Sequence, residues 1–252
     1  MNHFKYPALL ALIIISFTSA CTRSKSAFQK EPIDNLIRDY ASAKQYSMNL
    51  YDMNYREKED AYYHKYRILH TNNPKDTLKE KITDWKKVSP VYFEKHTDHM
   101  GMTLVSKADG KVEKKVTPPG YDQYVGNKKY GQWQQGSGGN SFWAFYGQYA
   151  FMSSMLNMGG PISRGGYNDY RRNYAPYGRT YYGGTGSNRR YGTGGSHVKN
   201  TGNRSWVKKG TGFRQKVRSR ASRSATRMKR SRNTSRFRSS SRSRSRGRGF
   251  GK

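Results

Sequence analysis

Between residues 31 and 70 apolar and aromatic residues recur at Ile33, Leu36, Ile37, Tyr40, Ala43, Leu50, Tyr51, Tyr55, Tyr62, Tyr66 and Leu69. Their intervals are mostly three, four or seven, the spacing that lines up one face of a helix. Pro32 and Asp34 suit a first helical turn. The pattern therefore predicts one long amphipathic helix to about His70, with a break near Asn54, where Ser47, Asn54 and Lys58 interrupt the stripe. Asn73-Pro74 ends it, because a residue before proline avoids the helical region. A second helix is expected over 75–87, with Leu78, Ile82 and Trp85 on one face.

The texture then changes to β-branched and aromatic residues, and strands are expected near 91–93, 103–107 and 111–116. Asp109-Gly110 between two short alternating runs is a hairpin signal. Residues 117–133 read as an ordered loop whose tyrosines cover a core edge. Residues 142–156 are the most apolar stretch after residue 20. They read as a core-packing helix or, alternatively, as an interfacial segment with Trp143, Tyr146 and Tyr149 at lipid headgroup level. Beyond Ile162 only scattered Tyr, Gly and Arg occur, and such composition is expected to be disordered or extended. The fold class expected is α+β: a small module over 32–156 with a long N-terminal helix and a short hairpin. A low-complexity region (157–217) and a polycationic tail (218–252) follow, largely disordered.

At the front, residues 6–20 are an uncharged run of 15, too short to span a bilayer and suited to the apolar region of a signal peptide. The small residues Ser19 and Ala20 lead into Cys21, the single cysteine of the chain. This resembles the lipobox of bacterial lipoproteins, although Thr18 stands where that box usually has Leu. The resemblance implies removal of residues 1–20, a diacylglycerol thioether on Cys21 and an acylated amino group there. Residues 21–31 would form the anchor and tether, since two or more acyl chains hold a protein stably on a membrane. Thr22 rather than Asp after the cysteine leans towards the outer over the inner membrane. The alternatives are an uncleaved membrane anchor, or an ordinary cleaved signal with an incidental cysteine. A lone cysteine also excludes an intrachain disulfide.

Net charge is +32, and it is uneven: residues 164–252 hold 26 Lys/Arg against one acid, Asp169. In the tail, "RSRASRSATRMKRSRNTSRFRSSSRSRSRGRGFGK", arginine alternates with small hydroxyl residues. The planar guanidinium fork suits phosphate and carboxylate. Arg218, Arg220, Arg223, Arg227, Arg230, Arg232, Arg236, Arg238, Arg242, Arg244, Arg246 and Arg248 are thus candidate polyanion-binding residues. Taken alone, the tail resembles arginine/serine-rich domains of splicing factors, which would imply nucleic acid. The export signal points instead to anionic envelope polymers or lipid headgroups as partners, and a non-specific cationic tail is the plainest alternative. Tyr faces and Arg planes in 164–195 attract one another, so self-association is a further expectation.

For catalysis the chain offers little. No nucleophile elbow, phosphate-binding loop or dinucleotide fingerprint occurs in it. His96, Asp98 and His99 could supply part of a metal site, but no fourth ligand stands at sensible spacing. Glu57, Glu59 and Asp60 read as the polar face of a helix. A hydrolase of envelope polymer would need Glu94 and Asp98 to line a cleft. No enzyme activity, metal or cofactor is expected.

Overall fold

The computed structural model describes residues 31–72, 77–157, 160–200 and 204–240, the last ten as backbone. The signal segment, Cys21 and the tether up to Lys30 lie outside the described residues, as do Arg242, Arg244, Arg246 and Arg248.

The first helix, α1 (Pro32–Asp39), begins at the proline and buries Ile33 and Leu36, but it stops after eight residues. The chain then forms two long strands, β1 (Gln45–Arg56) and β2 (Ala61–Thr71), paired antiparallel. The long amphipathic helix is therefore absent, and the reason is visible in the side chains. Tyr46, Met48 and Leu50 enter one core at a spacing of two, the strand period. A bulge between Leu50 and Asp52 inserts Tyr51, and Met53 and Tyr55 continue the same face out of phase. One extra residue in a strand thus converts intervals of two into a mixture that imitates helical spacing.

β1 is a central strand, buried on both faces for most of its length. The sheet runs β3-β2-β1-β5-β6, with β4 pairing β2 as well, and every pairing is antiparallel. β3 (Lys79–Ile82) and β4 (Lys86–Val88) occupy the place of the second expected helix. Conversely, α2 (Pro90–His96) replaces the strand expected at 91–93. Its signature was Ser89-Pro90: the Ser89 hydroxyl accepts from Tyr92 N at 3.1 Å, and proline takes the first helical position. β5 (Thr103–Ala108) and β6 (Lys111–Glu113) pair across Asp109-Gly110, as the edge of a six-stranded antiparallel sheet in place of the module's expected short hairpin.

The remaining correction concerns the low-complexity half. A two-stranded ribbon, β7 (Gly131–Gln135) with β8 (Ser141–Phe145), sets Trp133 against Trp143 at 5.1 Å between ring centroids. It precedes α3 (Ala150–Leu156), α4 (Arg164–Asp169), a π-turn over Tyr170–Tyr174, and the short helices α5 (Ser196–Lys199) and α6 (Ser205–Lys208). Trp143 and Tyr149 are enclosed, so neither is placed at a headgroup level. Tyr121, Tyr124, Tyr130, Tyr170, Tyr181 and Tyr191 join them in a second core with Met152, Met155 and Leu156. Tyr121 is its hub: three tyrosine rings meet it edge-on at 5.4–5.5 Å, and its hydroxyl accepts from Tyr191 at 2.9 Å. Each tyrosine buries roughly 150–250 Å², so a chain poor in Leu and Ile still encloses a core. Glycines here serve close packing. A Cβ on Gly192 would sit 2.5 Å from the Asp98 carbonyl, and one on Gly195 2.4 Å from the Arg190 carbonyl.

Several ionisable groups are sealed inside. Burial pulls the imidazoles of His64, His96 and His197 down to about 3, 2 and 4 respectively. Asp122, its carboxyl oxygens shielded from solvent, is pushed up to about 6 by the same cause. A histidine depressed in the folded state stabilises above its unfolded value near 6.5, and that stability is lost as pH falls below it. The raised aspartate works oppositely, stabilising only below about pH 6. Between pH 7 and 5 each of these histidines costs about 2 kcal/mol and Asp122 offsets about 1 kcal/mol, so the histidines win. Unfolding free energies from urea titrations across that range should fall by several kcal/mol, and a flat profile would contradict the buried placement of the three imidazoles.

A candidate polyanion-binding helix

The described part of the tail belongs to α7 (Thr211–Ser240), one helix of 30 residues. Its sequence alternates arginine and serine, yet Val217, Ala221 and Ala225 recur every four residues, and all three are buried. Val217 and Ala221 pack into the core that holds Tyr55, Tyr62, Phe93 and Trp206, with Phe93 and Trp206 edge-on at 5.6 Å. Alanine is small enough to let α7 approach α2 closely. The helix thus has an apolar stripe one residue wide, and the body of the protein covers it.

Two ion pairs flank that stripe. Arg218 meets Asp98 at 2.7 Å, and Arg220 meets Asp60 at 3.1 Å while its guanidinium lies 5.6 Å from the centre of the Tyr55 ring. All four charged side chains are more than two-fifths exposed, so solvent screens both pairs and neither adds much to stability. The apolar stripe holds the helix; the carboxylates set its rotation. Asp60 also accepts from the Tyr55 hydroxyl at 2.7 Å, and that bond, first, with Arg220 beside it, holds its carboxyl below the usual range. Asp60 is therefore a docking residue at the β1–β2 turn rather than part of a helix face. Glu59 binds the Tyr63 hydroxyl and pairs with Arg56 at 3.1 Å.

The entry to α7 is fixed from the sheet. Tyr51, the bulged residue of β1, turns its carbonyl towards the Arg204 guanidinium, which also covers the Tyr51 ring at 3.9 Å. Asp52 follows, only 4% exposed, and its carboxylate accepts from Ser205 N at 2.7 Å, Ser205 Oγ at 2.8 Å, Trp206 N at 3.1 Å and Met53 N at 2.8 Å. This one side chain ties residues 205–206 to the middle of the sheet. Burial, then the neighbouring Arg67 charge, pull Arg204 down to about 10.

Of the candidate residues, Arg218, Arg220, Arg223, Arg227 and Arg230 are exposed on α7. Arg232, Arg236 and Arg238 lie on its described backbone. Arg223 and Arg227 form no ion pair with an acid among the described residues. Lys216, which the sequence reading omitted, is exposed on the same helix. The signal for it was the four-residue interval to Arg220, legible only once the segment is known to be helical.

An open cleft of about 420 Å³ lies between α2 and α7, lined by Glu94, Thr97, Arg218, Ser219, Ser222 and Arg223. Glu94 is the one carboxylate among these lining residues. Asp98 is instead turned to Arg218, so the two carboxylates are not brought together on one cleft. His96 and His99 face each other through their Nδ1 atoms at 3.1 Å, away from Asp98's partner. Among the described residues no group of three His, Cys, Asp or Glu could hold a metal ion, and no helix is long and apolar enough to cross a membrane. Comparison with protein-family models, with curated proteins and with solved structures found no match to this chain.

Replacing Asp52 with Ala strands the Ser205 and Trp206 amides and should cost about 2–4 kcal/mol. Hydrogen exchange should then accelerate across 205–225 more than across β1. Uniform exchange, with no such local effect, would count against the anchoring role.

Proposed function

We propose that the protein is a lipid-anchored component of a bacterial envelope, without a catalytic role, that holds an anionic envelope component on α7. Attachment rests on the lipobox-like run ending at Cys21, and Thr22 after it favours the outer membrane. The binding half rests on one observation: α7 is seated on the body by Val217, Ala221 and Ala225, which leaves its guanidinium groups exposed. A disordered polycation must order itself on its partner and loses affinity in doing so. A helix already docked has met that cost during folding, so its charges act from fixed positions.

Nucleic acid is the second reading, carried by the same exposed arginines. Export to the envelope argues against it, and direct competition between duplex DNA and lipopolysaccharide decides between the two.

Intact mass of the chain from a membrane fraction tests the anchor. The expected species begins at Cys21 and is heavier by a diacylglycerol and one acyl group. The Cys21→Ala protein should keep its first residues and lack the lipid. A native chain retaining Met1 in the soluble fraction would sink the lipoprotein reading.

Binding to lipopolysaccharide tests the helix. Arg223→Ser with Arg227→Ser should weaken it about thirtyfold at low salt and flatten the log-affinity against log-salt slope by about 2. Unchanged affinity and slope would place the binding elsewhere.

A further inference from the structure

Three imidazoles form a chain of ring contacts at α2. His64, on β2, is fully enclosed, with Tyr92 and Phe93 of α2 against its ring at 5.7 and 5.4 Å between centroids. His96 meets Tyr92 at 4.5 Å, and its Nδ1 faces that of His99 at 3.1 Å. His64 Nδ1 faces the Tyr66 hydroxyl at 3.3 Å, and its Nε2 has no partner among the described residues. The surrounding charges favour neutral rings. Lys95 stands beside His96 and His99, and Lys86 pairs with His64 across the β2–β4 ladder. Tyr182, stacked on His99, carries Arg189 on its ring. Asp98 stands beside His99 but is turned to Arg218, while Glu31 and Asp34 act on the Tyr66 and Tyr92 hydroxyls.

α7 rests on the same small helix, since Val217 and Ala221 share a core with Phe93. Just before it the chain has a clasp and then a hinge. Asp52 holds the Ser205 and Trp206 amides, and Gly210 and Gly212 follow with no atom within 4 Å of where a Cβ would stand. We infer that the imidazoles at α2 are an acid-operated latch: on acidification they take up protons by lifting α2 from the sheet, and α7 swings out with it about Gly210 and Gly212, while Asp52 keeps residues 205–206 in place.

This movement is smaller than acid unfolding of the whole body. β1 and β2 are long, paired with each other and buried on both faces, whereas α2 has seven residues and the stripe of α7 is one residue wide. The layer with the fewest buried apolar contacts opens at the least cost. Lifting α2 hydrates His64 and His96 together. His197, against the Met155 carbonyl, and Asp122, next to Tyr121, lie at the second core and stay shut. Burial holds His64 and His96 at about 3 and 2, and lowers His99 as well. In the open layer each returns towards about 6.5, so the latch is closed above that pH and loosens as pH falls below it. Between pH 7 and 5 His64 and His96 each multiply the opening constant about 25-fold, together about 600-fold.

Hydrogen exchange of the full-length protein in non-ionic detergent, corrected for intrinsic rates, tests the latch. Protection of 91–96 and 213–221 should fall about 600-fold or more between pH 7 and 5. At pH 5 these amides should exchange at least about tenfold faster than those of β1 and of Ser205 and Trp206. His64→Gln with His96→Gln, its fold checked by circular dichroism, should cut the fall to about 25-fold or less. His197→Gln should leave the fall at α2 and α7 unchanged, and this arm and the wild type decide the matter even if the double variant does not fold. Equal protection of α2, α7 and β1 at pH 5 would mean that acid opens the whole body at once, and would overturn the inference. So would protection of α2 and α7 that does not change with pH, or a fall that His197→Gln removes.

Discussion

A carboxylate buried at a strand bulge holds this structure together. Asp52 is placed by the extra residue Tyr51, and from the centre of the sheet it takes two backbone amides and a hydroxyl from residues 205–206. A buried carboxylate is tolerable only when hydrogen bonds saturate it, and four donors do so here. The consequence reaches along the chain: Trp206 is set against Phe93, and α7 then starts where its apolar stripe meets the same core. Residues 204–225 thereby become part of the body rather than an appendage to it.

The same economy explains how a chain of net charge +32 encloses two cores. Tyrosine supplies most of the ring area, and several of its hydroxyls end on another tyrosine, a side-chain amide or a carboxylate, as Tyr191 does on Tyr121, Tyr130 on Gln45 and Tyr55 on Asp60. Glycine lets backbones approach where any Cβ would collide. Arginine stays outside or lies flat on tyrosine faces, as Arg189 does on Tyr182 at 4.7 Å. The charge is therefore displaced to the surface, and above all to α7, where repulsion between neighbouring guanidiniums is balanced by packing on the opposite side.

For function, the decisive step is from polycation to rigid polycation. Only a fixed helix separates a docked apolar stripe, Val217, Ala221 and Ala225, from the guanidinium groups left exposed round the rest of it. Asp98 and Asp60 contribute little energy and much orientation, since they hold Arg218 and Arg220 at the two flanks and leave Arg223 and Arg227 outside.

Some of this was legible in the residues alone. Pro32 and Asp34 marked the start of α1, and Asp109-Gly110 marked the turn between β5 and β6. These are local signals, set by φ preferences and charge, and the surrounding fold does not alter them. The long helix misread over 33–69 shows the limit, because a bulge disturbs the strand period and a central strand buried on both faces has no alternation to display. The Gly/Tyr/Arg segment shows another: its tyrosines pack on one another around a partner 49 to 70 residues away, Tyr121, which meets Tyr170 and Tyr191. Nor could Val217, Ala221 and Ala225 announce a docking stripe among arginines until Phe93 and Trp206 were beneath them. The sequence by itself determined which groups carry the charge and where the chain turns. Only the tertiary structure decided that the charged tail is a seated helix, because the apolar surface it needs is supplied by strands and helices far away along the chain.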